Sequence, residues 1–140
     1  MKTKDNKELT KAEEQVMQAV WKVGNGFANE IVAAVNEQKR AGKNAEEGEV
    51  AYNTVLTVVR ILEQKGYVSH VTFNRSNRYY PTISREEYMQ QMLGRMTSNW
   101  FGASPRALVS FLLDKKAVTL EDLEQLTKAI EDDNHKDEIQ

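Results

Sequence analysis

Residues 51–83 constrain the fold more than any other stretch of the chain. Val55, Val58, Val59 and Leu62 recur at i, i+3, i+4 and i+7, the spacing of one buried helical face. The opposite side carries Asn53, Thr57, Arg60 and Gln64, all able to hydrogen-bond. Gly66 follows, and a glycine there predicts a left-handed C-cap, because it has no Cβ to clash. Residues 67–73 and 78–83 are rich in β-branched and aromatic side chains and predict two strands. Between them Asn74-Arg75-Ser76-Asn77 predicts a polar turn. A helix with a hydrogen-bonding outer face, followed at once by a hairpin with a basic tip, predicts a winged helix-turn-helix that presents this surface to DNA.

The residues before this stretch supply the other helices such a domain needs. Thr10-Lys11-Ala12-Glu13 has the form of a capping box. Leu9, Ala12, Val16, Val20 and Val23 then recur at helical spacing until Gly24-Asn25-Gly26. Phe27, Ile31, Val32 and Val35 mark a second helix running into polar sequence near Gln38. Asn29 falls in its first turn, where unpaired N–H groups could meet a phosphate. Residues 40–49 predict a loop that is long for a helix-turn-helix connection. Its carboxylates Glu46, Glu47 and Glu49 would repel phosphate, so the loop is expected to turn away from DNA.

After the hairpin the pattern is helical three times over. Ser84-Arg85-Glu86-Glu87 opens a helix with Met89, Met92, Leu93, Met96 and Trp100 on one face. Ser104-Pro105 opens a second, with Leu108, Phe111 and Leu112. Thr119-Leu120-Glu121-Asp122 opens a third, with Leu120, Leu123, Leu126 and Ile130. A unit this small seldom makes a stable core of its own. Its apolar rows predict a two-fold homodimer; helices folded back on a monomer are the alternative. The expected organisation is a disordered tail over 1–8, a winged helix-turn-helix over 9–83, a three-helix dimerisation region over 84–133 and a disordered tail over 134–140. The fold class is mainly α with a small β-hairpin (α+β).

Composition narrows the function. The 140 residues include no cysteine, which excludes disulfides and thiolate metal sites. His70 and His135 have no second ligand at metal spacing, so neither a metal nor a cofactor is expected. No apolar run approaches the ~20 residues that span a bilayer, and the polar N-terminus lacks a signal-peptide core, so a cytoplasmic protein without membrane insertion is expected. No phosphate loop or nucleophile elbow appears, so an enzyme is not expected. The net charge of −2 is unlike a nucleic-acid binder, but its distribution is uneven. Residues 1–83 hold 12 Lys/Arg and 10 Asp/Glu, whereas 84–140 hold 7 and 11. Arg60, Lys65, Arg75 and Arg78 stand against Glu63 alone across the helix and hairpin, a local positive surface suited to phosphate.

The order of these elements resembles the penicillinase-repressor family. The resemblance rests on Leu9-Thr10-Lys11-Ala12-Glu13-Glu14-Gln15-Val16-Met17 with Val20-Trp21, on Phe27-Ala28-Asn29-Glu30-Ile31, on Tyr52-Asn53-Thr54-Val55-Leu56-Thr57, and on Leu62-Glu63-Gln64-Lys65-Gly66-Tyr67-Val68. It covers roughly residues 9–131 and implies a homodimeric repressor bound to a dyad-symmetric operator. In the family's resistance branch a membrane-bound metallopeptidase sensor triggers repressor cleavage at an Asn-Phe bond. The corresponding place here is Ser110-Phe111-Leu112, where the Asn is missing. The cysteine motif of the copper-responsive branch is also missing.

The resulting expectation is a transcriptional repressor whose third helix lies in the major groove of double-stranded DNA. Tyr52, Asn53, Leu56 and Thr57 would face base edges, Asn suiting adenine and Leu or Thr the thymine methyl. Arg60, Arg75 and Arg78 would neutralise phosphates, with Thr54, Asn29 and the turn residue Asn77 beside them. A winged-helix protein-interaction module that does not bind DNA remains the alternative.

Overall fold

A computed structural model describes residues 8–42 and 45–139, with side chains as far as Asn134. By internal contacts the chain divides into two units, one ending at Met89 and the other starting at Gln90.

The first unit begins with α1 (Lys11–Val23), whose start is the predicted capping box. The Glu13 N–H donates to Thr10 Oγ1 at 3.2 Å, and the Thr10 N–H donates to Glu13 Oε1 at 3.0 Å. A two-residue strand, β1 (Gly26–Phe27), leads into α2 (Ala28–Ala41). A Cβ on Gly26 would lie 2.5 Å from a Val23 methyl and 2.8 Å from the Glu30 carboxylate, so any larger residue there would force those side chains to shift. That carboxylate accepts from the Phe27 N–H at 2.8 Å and tethers the start of α2. The helix continues three residues past Gln38, because nothing before Gly42 stops it.

Next come a short 3-10 turn (Ala45–Glu47) and α3 (Tyr52–Gln64). Val55, Val59 and Leu62 are fully buried, as their spacing predicts, while Val58 is half-buried. Burying each such side chain stabilises the fold by roughly 2 kcal/mol. The helix ends as the sequence predicts. Gly66 has φ +89°, its N–H donates to the Glu63 carbonyl at 3.0 Å, and the Tyr67 N–H donates to the Leu62 carbonyl at 2.9 Å. This pair of bonds satisfies two of the helix's last carbonyls and reverses the chain.

Two antiparallel strands follow, β2 (Val68–Phe73) and β3 (Ser76–Pro81). Their turn is tighter than the four residues expected. Phe73 pairs with Ser76, leaving only Asn74 and Arg75 at the tip, both with positive φ (51° and 69°). Such a two-residue turn matches the strands' right-handed twist. Asn77 is therefore a strand residue and not a turn residue. The sheet also has a third strand that the sequence did not reveal. β1 pairs with β3, Gly26 opposite Tyr79 and Phe27 opposite Arg78, giving the order β1-β3-β2.

The core of this unit joins α1, α2 and α3 through Met17, Val20, Ile31, Val55, Val59 and Leu62. Tyr67 and Tyr88 close it, with ring centroids 5.9 Å apart. Trp21 lies 5.7 Å from Tyr88 and donates its indole N–H to the Ile83 carbonyl at 2.9 Å. Tyr88 belongs to α4 (Arg85–Trp100). The first turn of α4 thus lies in the first unit, which ends at Met89.

The second unit holds the rest of α4, then α5 (Pro105–Asp114) and α6 (Leu120–Ile139). Its start signals operate as predicted. Ser104 caps α5, and Thr119 and Asp122 exchange bonds of 3.0 Å across the start of α6. The last helix reaches Ile139, into the stretch from 134 expected to be a disordered tail, since no Gly or Pro interrupts it. Of the expected N-terminal tail, only Glu8 lies within the described residues. Phe101 and Phe111 pack edge to face at 5.6 Å. Yet among the described residues no apolar side chain beyond Tyr88 is buried. Met92, Leu93, Met96, Trp100, Phe111, Leu120, Leu126 and Ile130 are exposed, as is Met89 at the end of the first unit. Leu108, Leu112 and Leu123 are half-buried.

One ion pair of the core carries a pH signature. Glu13 is nearly buried, which by itself raises its carboxyl pKa. The hydrogen bond from Lys65 Nζ (2.6 Å) and the one from the Thr10 N–H outweigh that and hold it below the ordinary value. A group depressed in the folded state stabilises above its unfolded pKa, and the contribution is lost as pH falls through the folded value. Glu13→Gln should therefore lower the urea midpoint at neutral pH. It should also flatten the midpoint's decline between about pH 5 and pH 3, the range in which such carboxylates protonate.

Candidate nucleic-acid interface

The buried face of α3 determines what its other face can do. With Val55, Val59 and Leu62 turned inward, Asn53, Thr57, Arg60 and Gln64 lie on the opposite side and are exposed. Tyr52, Leu56 and Arg60 form an adjoining row, one turn apart, on the side nearer the hairpin. The Schellman-type reversal at Gly66 returns the chain beside α3, so that row and the hairpin become the two walls of a groove. The groove measures about 300 Å³.

Six of the residues singled out from sequence line it: Asn29, Tyr52, Leu56, Arg60, Arg75 and Asn77. They come from three elements, α2, α3 and the hairpin. Phe27, Ala28, Ser76 and Tyr79 complete the lining and were not anticipated. Phe27 and Ala28 are there because β1 pairs with β3, and a two-residue strand leaves no alternation to read. Tyr79 was legible in principle, since it sits two residues from Asn77 on the same face of β3.

The remaining expected residues lie elsewhere. Asn53, Thr54 and Thr57 are exposed on α3 outside the groove lining. The Thr57 hydroxyl donates to the Asn53 carbonyl one turn back (2.8 Å), so towards solvent it offers lone pairs and a methyl group. Arg78 is on the other face of the hairpin, with Val71, Phe73 and Tyr80. Its guanidinium lies 5.3 Å from the Phe27 ring centroid, and its Nη2 donates to the Asn25 carbonyl at 3.3 Å. Strand alternation separates it from Asn77 and Tyr79.

The local positive surface is accordingly narrower than the residue count implied. Lys65 is drawn away by Glu13 and also donates to the Glu8 carbonyl at 3.1 Å. Arg78 is occupied as described. Arg60 and Arg75 remain, and among the described residues neither has an ion-pair partner. The expected opposing charge, Glu63, is itself engaged: its Oε2 lies 2.6 Å from His70 Nδ1. The histidine thus links β2 to α3, with its ring 5.7 Å from that of Tyr79.

The acidic connection before α3 leans towards α2. Glu47 pairs with Lys39 at 3.5 Å and Glu49 with Arg40 at 3.4 Å. Glu47 lines a separate pocket with Gln15, Val35, Gln38, Lys39, Gly42 and Val50, none of which borders the groove. Among the described residues no cluster of His, Asp or Glu could hold a metal ion. No helix among them is long and apolar enough to cross a membrane.

A family model described as penicillinase repressor matches residues 9–132. No curated protein matches the chain. Solved structures similar to it include the following two. H. salinarum RosR grown from NaBr is 16% identical, with 94% of this chain and 99% of that one covered and a TM-score of 0.46. The complex structure of hsRosR-S4 is 15% identical, with 93% of each chain covered and a TM-score of 0.43.

The two hairpin arginines should separate in a stability measurement. Arg78→Ala removes the contact with Phe27 and the bond to Asn25, and should cost about 1 kcal/mol in denaturant unfolding. Arg75→Ala, at the exposed tip, should change the midpoint by less than about 0.5 kcal/mol.

Proposed function

Since the chain belongs to the penicillinase repressor family, we propose that it acts in the cytoplasm as a homodimeric repressor, each copy laying α3 in the major groove of a dyad-symmetric operator. The observation that supports this reading is the convergence of Asn29, Tyr52, Leu56, Arg60, Arg75 and Asn77 from three elements on one open groove. Asn53 and Thr57 stand on the outermost line of α3, where base edges would be met. Asn53 suits adenine, and the Leu56 side chain and Thr57 methyl suit the thymine methyl. Arg60 and Arg75 supply the sequence-independent part by neutralising phosphates, and Asn29 with the first N–H groups of α2 anchors the backbone. Thr54 is a further backbone contact. Arg78 supports the hairpin from its far side and is left out of the phosphate set.

The dimer half of the proposal rests on the second unit. A set of helices whose apolar rows stay exposed needs a partner, and a second copy is the simplest one. Met89, Met92, Leu93, Met96, Trp100, Leu108, Phe111, Leu112, Leu120, Leu123, Leu126 and Ile130 would supply the interface. Regulation by a membrane-bound metallopeptidase sensor belongs to the same proposal. The corresponding segment, Ser110, Phe111 and Leu112, is helical in α5, with Ser110 and Phe111 exposed. Proteases of this kind bind extended substrate, so cleavage there would require α5 to open.

Operators selected from a random duplex pool test the first half. Asn53→Ala should cost about 1–3 kcal/mol on the selected site and relax preference at one base pair. Arg75→Ala should weaken all duplexes alike and reduce the slope of log K against log salt by about one. Equal losses for Asn53→Ala on operator and random DNA would defeat the base-reading role. For the second half, the double variant Leu126→Glu, Ile130→Glu should sediment as a monomer. A wild-type chain that is already monomeric at micromolar concentration would overturn the dimer.

A further inference from the structure

A helix-turn-helix normally joins its two helices by three or four residues, and that short link fixes where the second helix begins. Here ten residues, 42–51, separate α2 from α3. A link of that length leaves many more ways to place the start of α3. Nor does the helix fix its own start, since its N-cap is Ala51, with no side-chain cap bond.

A single buried side chain fastens the connection just before α3. Asn36, on the inner side of α2, is 8% exposed. Its Oδ1 accepts from the Val50 N–H at 2.7 Å, and its Nδ2 donates to the Val50 carbonyl at 3.2 Å. Both backbone groups of one residue are thus held by one planar carboxamide. Val50 lies two residues before Tyr52, and its own side chain packs against the core. The other fastenings of the connection, Glu47 to Lys39 and Glu49 to Arg40, are longer, and their carboxylates are largely exposed.

We infer that Asn36 is a positioning residue for base reading: by clamping Val50 it sets the location of the first turn of α3, and hence of Tyr52, Asn53 and Leu56, against the bases. The inference rests on the DNA-binding reading above. Hydrogen bonds to base edges are directional and fail when the helix shifts by a fraction of an ångström, whereas Arg60 and Arg75 can follow a phosphate through their long side chains. Loss of the clamp therefore removes discrimination and spares the electrostatic part of binding. A residue that merely stabilised the fold would change neither once the protein was folded.

The test uses the full chain, an operator selected from a random pool with the wild type, and a random duplex of equal length. Asn36→Ala should weaken operator binding at least about tenfold, leaving random-duplex affinity and the salt slope within about twofold of wild type. Asn36→Asp keeps an acceptor for the Val50 N–H but, once ionised, has no donor for the carbonyl, and should fall between the two. Unchanged discrimination in folded Asn36→Ala, or parallel loss on both duplexes, overturns the inference while leaving the DNA-binding reading intact. A wild type with no salt-dependent duplex binding overturns both. Should the variants not fold, amide exchange in the wild type decides. A Val50 N–H that exchanges as fast as the exposed turn at Asn74 and Arg75 shows that the clamp does not hold.

Discussion

The burial of Val55, Val59 and Leu62 against α1 and α2 is the constraint from which the rest of the structure follows. A helix can hide only one side. Once that stripe is packed, the rotation of α3 is fixed, and the polar side chains between its turns have nowhere to go but outward. Nothing about DNA is needed to explain their exposure. The fold determines it, and the chemistry of the exposed residues then determines what the surface can recognise.

The second constraint is the way α3 ends. Gly66 takes a left-handed conformation that an ordinary residue adopts at a cost of about 1–2 kcal/mol. It turns the chain back so that the hairpin lies along α3 and does not continue away from it. Tyr67, the next residue, is buried and meets Tyr88, whose ring also touches Trp21. The same reversal that builds the groove therefore carries the chain into the aromatic cluster closing the core. His70 and Glu63 join the hairpin to α3 a second time. Tyr79 belongs to both the groove lining and the buried core, so the hairpin wall of the groove is held by interactions that hold the domain together.

Electrostatics is organised by pairing more than by total charge. The chain is slightly acidic, yet several carboxylates around α3 are occupied: Glu63 by His70, Glu30 by the Phe27 N–H, Glu47 and Glu49 by Lys39 and Arg40. Two cations are withdrawn as well, Lys65 to Glu13 and Arg78 to Phe27 and Asn25. What remains in the groove is a modest positive pair, Arg60 and Arg75, between hydrogen-bonding and apolar side chains. Such a surface leans on shape and directional contacts more than on a strong field.

Many features that depend on local spacing can be read from the order of residues. These include the buried stripe of α3, the capping boxes at Thr10 and Ser84, the glycine stop at Gly66, the two long strands and the apolar rows of the last three helices. Each follows from the period of a helix or strand, or from a backbone conformation that few residues tolerate, and neither needs distant partners. Other features depend on contacts between elements. β1 exists only because β3 lies beside it. Tyr88 joins the first unit because Trp21 and Tyr67 leave a space for its ring. Asn36 matters because it meets Val50 across fourteen residues of chain. Lys65 and Arg78 looked like two more cations for phosphate until the fold brought Glu13, Phe27 and Asn25 against them. A one-dimensional pattern shows which way a side chain faces along its own element, but not which groups from other elements will be waiting there.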